Sequence, residues 1–169
     1  MTDQSLKQQL ELLHNGDKQA FSAVYQELKT PVFTVLVRLT GERSLAEDLL
    51  QEVFLKLYRE PPQVEKPRAY VFRMARNLAI DALRRQQPAV SLEELELPAQ
   101  PYDPGVKVDL ERAFAQLTLT ERQVVALHLS GGMTFRQVAE ITGRPLGTVL
   151  WQYRRALEKL RNILDGGKL

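Results

Sequence analysis

Apolar side chains recur every three or four positions along nearly the whole chain, and no stretch alternates with period two for long enough to build a sheet. The pattern predicts an all-α protein. A short first helix ends near Asn15 and Gly16, and Asp17 caps a second that carries Phe21, Val24, Tyr25 and Leu28 on one face. Pro31 either kinks that helix or opens another, whose stripe is Val32, Val35, Leu36 and Leu39 and whose stop is Gly41. Ser44 and Glu47 have capping-box spacing at the head of a helix reaching about Arg59, which Pro61 and Pro62 end. Pro67 suits the first position of a long helix through Arg85.

The periodicity then lapses. Pro88, Pro98, Pro101, Pro104 and Gly105 punctuate the next stretch, which has the composition of a linker. Four more helices are predicted at 108–117, 119–130, 135–142 and 146–164. Thr118 with Glu121 and Thr134 with Gln137 form capping boxes, and Gly131, Gly132 and Gly143 act as stops. The expected architecture is two small helical domains, residues 1–86 and 108–169, joined by a flexible, acidic, proline-containing linker at 87–107.

Composition narrows the chemistry. The 169 residues include no cysteine, which excludes structural disulfides, thiolate-held zinc and a cysteine nucleophile. His14 and His128 are far apart and lack a second ligand type at metal spacing. No apolar run approaches a membrane span, and the N-terminus lacks the basic-then-apolar order of a secretion signal, so a cytoplasmic location without membrane insertion is expected. With no phosphate-cradling glycine loop and no catalytic constellation, neither enzymatic activity nor a cofactor is expected.

The formal net charge of +2 conceals a segregated distribution. Lys66, Arg68, Arg73, Arg76, Arg84 and Arg85 crowd one helix against Asp81 alone. The following stretch is acidic through Glu93, Glu94, Glu96, Asp103, Asp109 and Glu111, and the C-terminal helix is basic again. Two basic surfaces separated by an acidic segment suit two polyanion contacts; solvated helix faces would look the same in charge alone.

The strongest local motif lies at 135–149. A short helix carries Val138, Ala139 and Ile141, a turn follows at Gly143, Arg144 and Pro145, and a second helix starts near Leu146. This is the grammar of a helix-turn-helix, whose second helix enters the DNA major groove. On that helix Leu146, Val149, Leu150, Tyr153, Ala156, Leu157 and Leu160 are assigned to the inside. Thr148, Trp151, Gln152 and Arg155 share another face, with Arg154 beside them. Gln152 and Arg155 are candidates for base edges; Trp151 is either a half-buried core aromatic or an exposed one.

Two blocks carry a wider resemblance. Residues 46–59 (AEDLLQEVFLKLYR) and 69–85 (AYVFRMARNLAIDALRR) resemble the second region of the extracytoplasmic-function group of bacterial RNA polymerase sigma factors. Residues 117–123 (LTLTERQ) and the helix-turn-helix through Arg161 resemble that group's fourth region. The resemblance implies a non-catalytic subunit that binds core RNA polymerase, directs it to promoters and promotes strand opening. It implies polymerase docking by Asp48, Gln51 and Glu52. Minus-ten contacts to melted DNA would come from Lys66, Arg68, Tyr70, Arg73, Arg76, Asn77, Arg84 and Arg85. Minus-thirty-five contacts to duplex DNA would come from Thr148, Trp151, Gln152, Arg154 and Arg155.

The resemblance further implies an acidic tether lying in the polymerase channel and restraint by an anti-sigma factor. One of Tyr70 and Phe72 is expected in the core, and Asp81 is expected to brace Arg84 or Arg85. Leu150 and Trp151 depart from the group, which often has a basic and a small polar residue there, so an unusual upstream promoter sequence is expected. Without the resemblance, the residues also fit a dimeric helix-turn-helix regulator or a helical protein–protein adaptor.

Overall fold

The computed structural model describes residues 1–87 and 110–166. Helices α1 (Asp3–His14), α2 (Gln19–Thr40), α3 (Arg43–Arg59) and α4 (Pro67–Gln86) form the first group. The second comprises α5 (Leu110–Ala115), α6 (Leu119–Val125), α7 (Phe135–Thr142) and α8 (Leu146–Leu164), and α6 runs on into a π turn at Ala126–Ser130. No strand occurs among the described residues. The expected flexible linker, with its implied path in a polymerase channel, lies outside them except for Gln87.

Pro31 sits inside α2 without ending it. An interior proline costs a helix about 3 kcal/mol. Val32, Val35, Leu36 and Leu39 are completely buried around it, and each such side chain contributes roughly 1.5–3 kcal/mol, so packing prevails. Asp17 accepts a hydrogen bond from the Gln19 amide at 3.0 Å, and Gly41 closes the helix at φ 73°. The expected Ser44–Glu47 capping box does not form. The helix already begins at Arg43, with Glu42 as an N-cap lacking a side-chain bond; Ser44 is inside the first turn, and Glu47 faces Arg43 at 3.5 Å instead. The boxes at Thr118–Glu121 and Thr134–Gln137 are both complete.

The two groups of helices are in contact. The core of α1–α4, built on Leu10, Leu28, Leu36, Val53 and Phe72, continues without a break into Val124, Leu127, Met133 and Val138. Gly131 makes this possible: a Cβ there would lie 3.3 Å from the Phe72 ring and 2.7 Å from the Leu127 carbonyl oxygen. Arg38 of α2 crosses the same seam. It donates to Ser130 Oγ, lies 3.9 Å from Glu111 and stacks 4.8 Å from the Phe114 ring centroid. A smaller cluster of Ala113, Phe114, Leu117, Val125, Ala156 and Leu160 holds α5 and α6 against α8. Arg122 secures the end of α5, donating to the Ala115 and Leu117 carbonyls at 2.9 and 3.1 Å. Burial lowers its guanidinium to about 10, which leaves it charged at neutral pH.

Candidate nucleic-acid interface

Helix α4 buries Val71, Phe72, Ala75, Leu78, Ala79 and Leu83, and this stripe decides which of its polar residues face water. Tyr70, Arg73, Asn77 and Arg84 are all exposed and lie along one helical face, with Asp81 among them and Lys66 and Arg85 at the ends. Phe72 is fully buried and Tyr70 is 40% exposed, which resolves the core alternative in favour of Phe72.

Two expected members leave this face. The Arg68 guanidinium donates to the Glu27 carboxylate and, at 2.9 Å, to the Met1 carbonyl. It braces the start of α4 against α2 and the segment before α1. Arg76 is half-buried. Its Nε donates to Gln123 Oε1 of α6 at 2.8 Å and its Nη1 to Asn77 Oδ1 at 3.1 Å. Burial, and then the positive charge of Arg144, push the Arg76 guanidinium below the usual range. The arginine whose charge Asp81 supports is Arg76.

On α3, Asp48 and Gln51 are exposed and Glu52 is half-buried, opposite the buried Leu49, Val53 and Leu57. Beside them lies a feature the sequence reading missed. Phe21 and Tyr25 of α2 and Leu50, Phe54, Leu55 and Tyr58 of α3 line an apolar groove of about 340 Å³. Its rings meet edge to face, Tyr25 with Phe54 at 4.8 Å and Phe21 with Tyr58 at 5.2 Å. The available signal was a pair of aromatic i,i+4 steps, 21 to 25 and 54 to 58, where one ring of each pair need not be buried.

The helix-turn-helix is formed by α7 and α8. Gly143 at φ 70° makes the turn between them. His128, Phe135 and Tyr153 buttress it: His128 stacks on Phe135 at 3.9 Å, and Tyr153 meets both rings edge-on at about 5 Å. Along α8, Thr148, Trp151, Arg154 and Arg155 are exposed. Trp151 is 58% exposed, which settles its alternative, and the Arg155 guanidinium lies 5.4 Å from its ring centroid.

Gln152 is a correction. It is buried, and its Oε1 has no hydrogen-bond partner. It follows Val149 by three positions and precedes Ala156 by four, so it belongs to the stripe that packs inward. Leu157, expected inside, is 37% exposed.

Residues 24–89 match the family described as Sigma-70 region 2, and residues 113–162 match Sigma-70, region 4. Two such regions in this order, spanning most of the chain, decide its membership. The chain belongs to the extracytoplasmic-function group of RNA polymerase sigma factors. It is 28% identical over 165 residues to ECF RNA polymerase sigma factor SigK of Mycobacterium bovis, covering 88% of each protein. It is 27% identical over 180 residues to SigW of Bacillus subtilis, covering 94% of this chain and 96% of the relative.

The fold of this sigma factor is similar to that of RpoE in complex with the anti-sigma factor NepR from Bartonella quintana. The TM-score is 0.64 at 20% identity, covering 86% of this chain and 96% of that one. It is likewise similar to CnrH in complex with the cytosolic domain of CnrY, with a TM-score of 0.67 at 18% identity over 94% and 96% of the two chains. A sigma factor is a specificity subunit of transcription initiation, and its partners are core RNA polymerase and promoter DNA. Among the described residues no helix is long and apolar enough to cross a membrane.

Proposed function

We propose that this sigma factor docks on core polymerase and captures melted minus-ten DNA through residues 1–86, while residues 108–169 hold the minus-thirty-five element as duplex. Asp48, Gln51 and Glu52 make the polymerase contact, with the aromatic groove beside them as its apolar centre. Lys66, Arg73, Arg84 and Arg85 take phosphates, Tyr70 stacks on an unpaired base and Asn77 offers a polar edge. Arg76 joins them when it leaves Gln123. Thr148, Trp151, Arg154 and Arg155 enter the major groove, where the planar fork of Arg155 suits the two acceptors of guanine.

One observation carries this reading. The exposed face of α4 combines cations with an aromatic ring and an amide, the set that single-stranded nucleic acid requires, while its apolar residues are buried. Binding free energy then supports strand opening, and the chain contributes no catalytic residue of its own. It acts in the cytoplasm, beside the polymerase. An anti-sigma factor restrains it, a reading supported by the similarity to RpoE in its complex with NepR.

Run-off transcription with core polymerase on a promoter library tests the proposal. The chain starts transcripts at selected sites, and the combined change Tyr70→Ala, Arg73→Ala weakens opening on supercoiled and linear templates while retaining polymerase binding. Transcripts unaffected by that pair of changes would remove α4 from the role.

A further inference from the structure

Glu121 is the one charged residue of α6 whose carboxylate reaches α8. It is 3% exposed and occupies the N3 position of the capping box, where Oε1 accepts from the Thr118 amide at 2.9 Å. The same oxygen accepts from Lys159 Nζ at 2.8 Å. Its other oxygen, Oε2, is buried without a hydrogen bond and lies 3.8 Å from Arg155 Nε. Arg155 therefore lies close to both a carboxylate and the Trp151 ring.

A helix cap does not need this charge. At the equivalent position of the second capping box Gln137 accepts from the Thr134 amide at 3.0 Å, so an amide performs the same local task. What glutamate adds at 121 is a buried negative charge whose unsatisfied oxygen is aimed at a side chain of the recognition helix. Arginine has a long, flexible stem, and a guanidinium that must present two parallel N–H groups to one base gains selectivity when its orientation is fixed before DNA arrives.

We infer that Glu121 is a positioning residue for promoter selection: its Oε2 holds Arg155 against Trp151, so that the guanidinium fork is presented in one orientation to one base pair of the upstream element. The inference rests on the reading that Arg155 contacts that element. Glu121 itself remains beneath the recognition helix and touches no DNA. Lys159 neutralises Oε1 and leaves Oε2 for Arg155.

The test uses holoenzyme assembled from core polymerase and the full chain. The probe is a duplex carrying a promoter selected from the run-off library, together with its single-base variants across the upstream element. Arg155→Ala first identifies the position whose discrimination depends on that side chain; a uniform loss at all positions overturns the assignment of Arg155 as a base reader and leaves Glu121 nothing to position. Given such a position, Glu121→Gln lowers discrimination there by about five-fold, a part of what a bidentate arginine contributes. It leaves the other positions unchanged, and the effect vanishes in the Arg155→Ala background. Lys159→Met keeps the Glu121 charge and retains the discrimination, which separates positioning from general support of the fold. Unchanged discrimination in Glu121→Gln, a loss spread evenly over all positions, or an equal loss in Lys159→Met would each overturn the inference.

Discussion

Tyr70 and Phe72 are two positions apart on α4 and point to opposite environments, which makes them a controlled pair. Phe72 is fully buried at the seam, its ring 3.3 Å from where a Cβ on Gly131 would lie. Truncating such a phenylalanine to alanine removes its transfer free energy and leaves a cavity, about 3–5 kcal/mol in all. For a chain of this size roughly 1 kcal/mol corresponds to 2–4 °C, so Phe72→Ala lowers the melting temperature by about 6–20 °C. Tyr70 is 40% exposed, so Tyr70→Ala shifts melting by less than about 4 °C.

The functional ranking is reversed. Loss of a stacking platform costs about 1–3 kcal/mol per base, so Tyr70→Ala weakens open complexes by roughly 5- to 150-fold. Phe72→Ala, assayed well below its melting temperature, opens promoters close to normally. Differential scanning calorimetry and permanganate footprinting of the melted strand provide the two readouts. A Tyr70→Ala protein that melts as early as Phe72→Ala would refute the helix phase on which the minus-ten assignment depends.

Four further outcomes are expected. Thr118→Ala and Thr134→Ala each remove a capping oxygen, at 3.2 and 3.1 Å from the amides they serve, and each costs about 1 kcal/mol in urea unfolding. Gly143→Val forces a β-branched residue to φ 70° in the turn of the helix-turn-helix, and lowers stability by about 1–2 kcal/mol, measured by denaturant midpoint. Arg155→Ala costs about 1–3 kcal/mol at one upstream base pair, read by binding to single-base variants. Glu121 should also influence acid stability. Although burial opposes its ionisation, the Lys159 and Thr118 hydrogen bonds hold its carboxyl below the ordinary value of 4.5. A depressed folded value means that its stabilisation is present above pH 4.5 and lost as pH falls through the folded value. Glu121→Gln therefore makes the acid limb of a stability–pH curve shallower.

The helices were legible because their signals are local. Two capping boxes, the Gly41 and Gly143 stops and the Pro67 start follow from side chains within a turn of the backbone groups they serve. The Ser44 box failed on the same scale: a two-residue shift in the start of α3 converts a cap into an interior position. What escaped was non-local. Nothing near Arg68 or Arg76 in the chain indicates that Glu27 and Gln123 will take their guanidiniums. Gln152 was assigned outward because it shares helical spacing with Thr148, Trp151 and Arg155, although its spacing from Val149 and Ala156 also places it on their stripe, where it is buried. The aromatic groove was hidden because the same residues would equally well form a closed core.

The Arg76–Gln123 hydrogen bond has a consequence for how the free protein meets DNA. An Nε proton serves one acceptor at a time, so a phosphate that draws this guanidinium away must leave the Gln123 carbonyl in need of water. Strand capture at α4 and hydration at α6 thus become two views of one exchange. With Arg76 in its proposed role, the affinity of the isolated chain is the intrinsic affinity multiplied by the fraction of molecules in which that hydrogen bond is open.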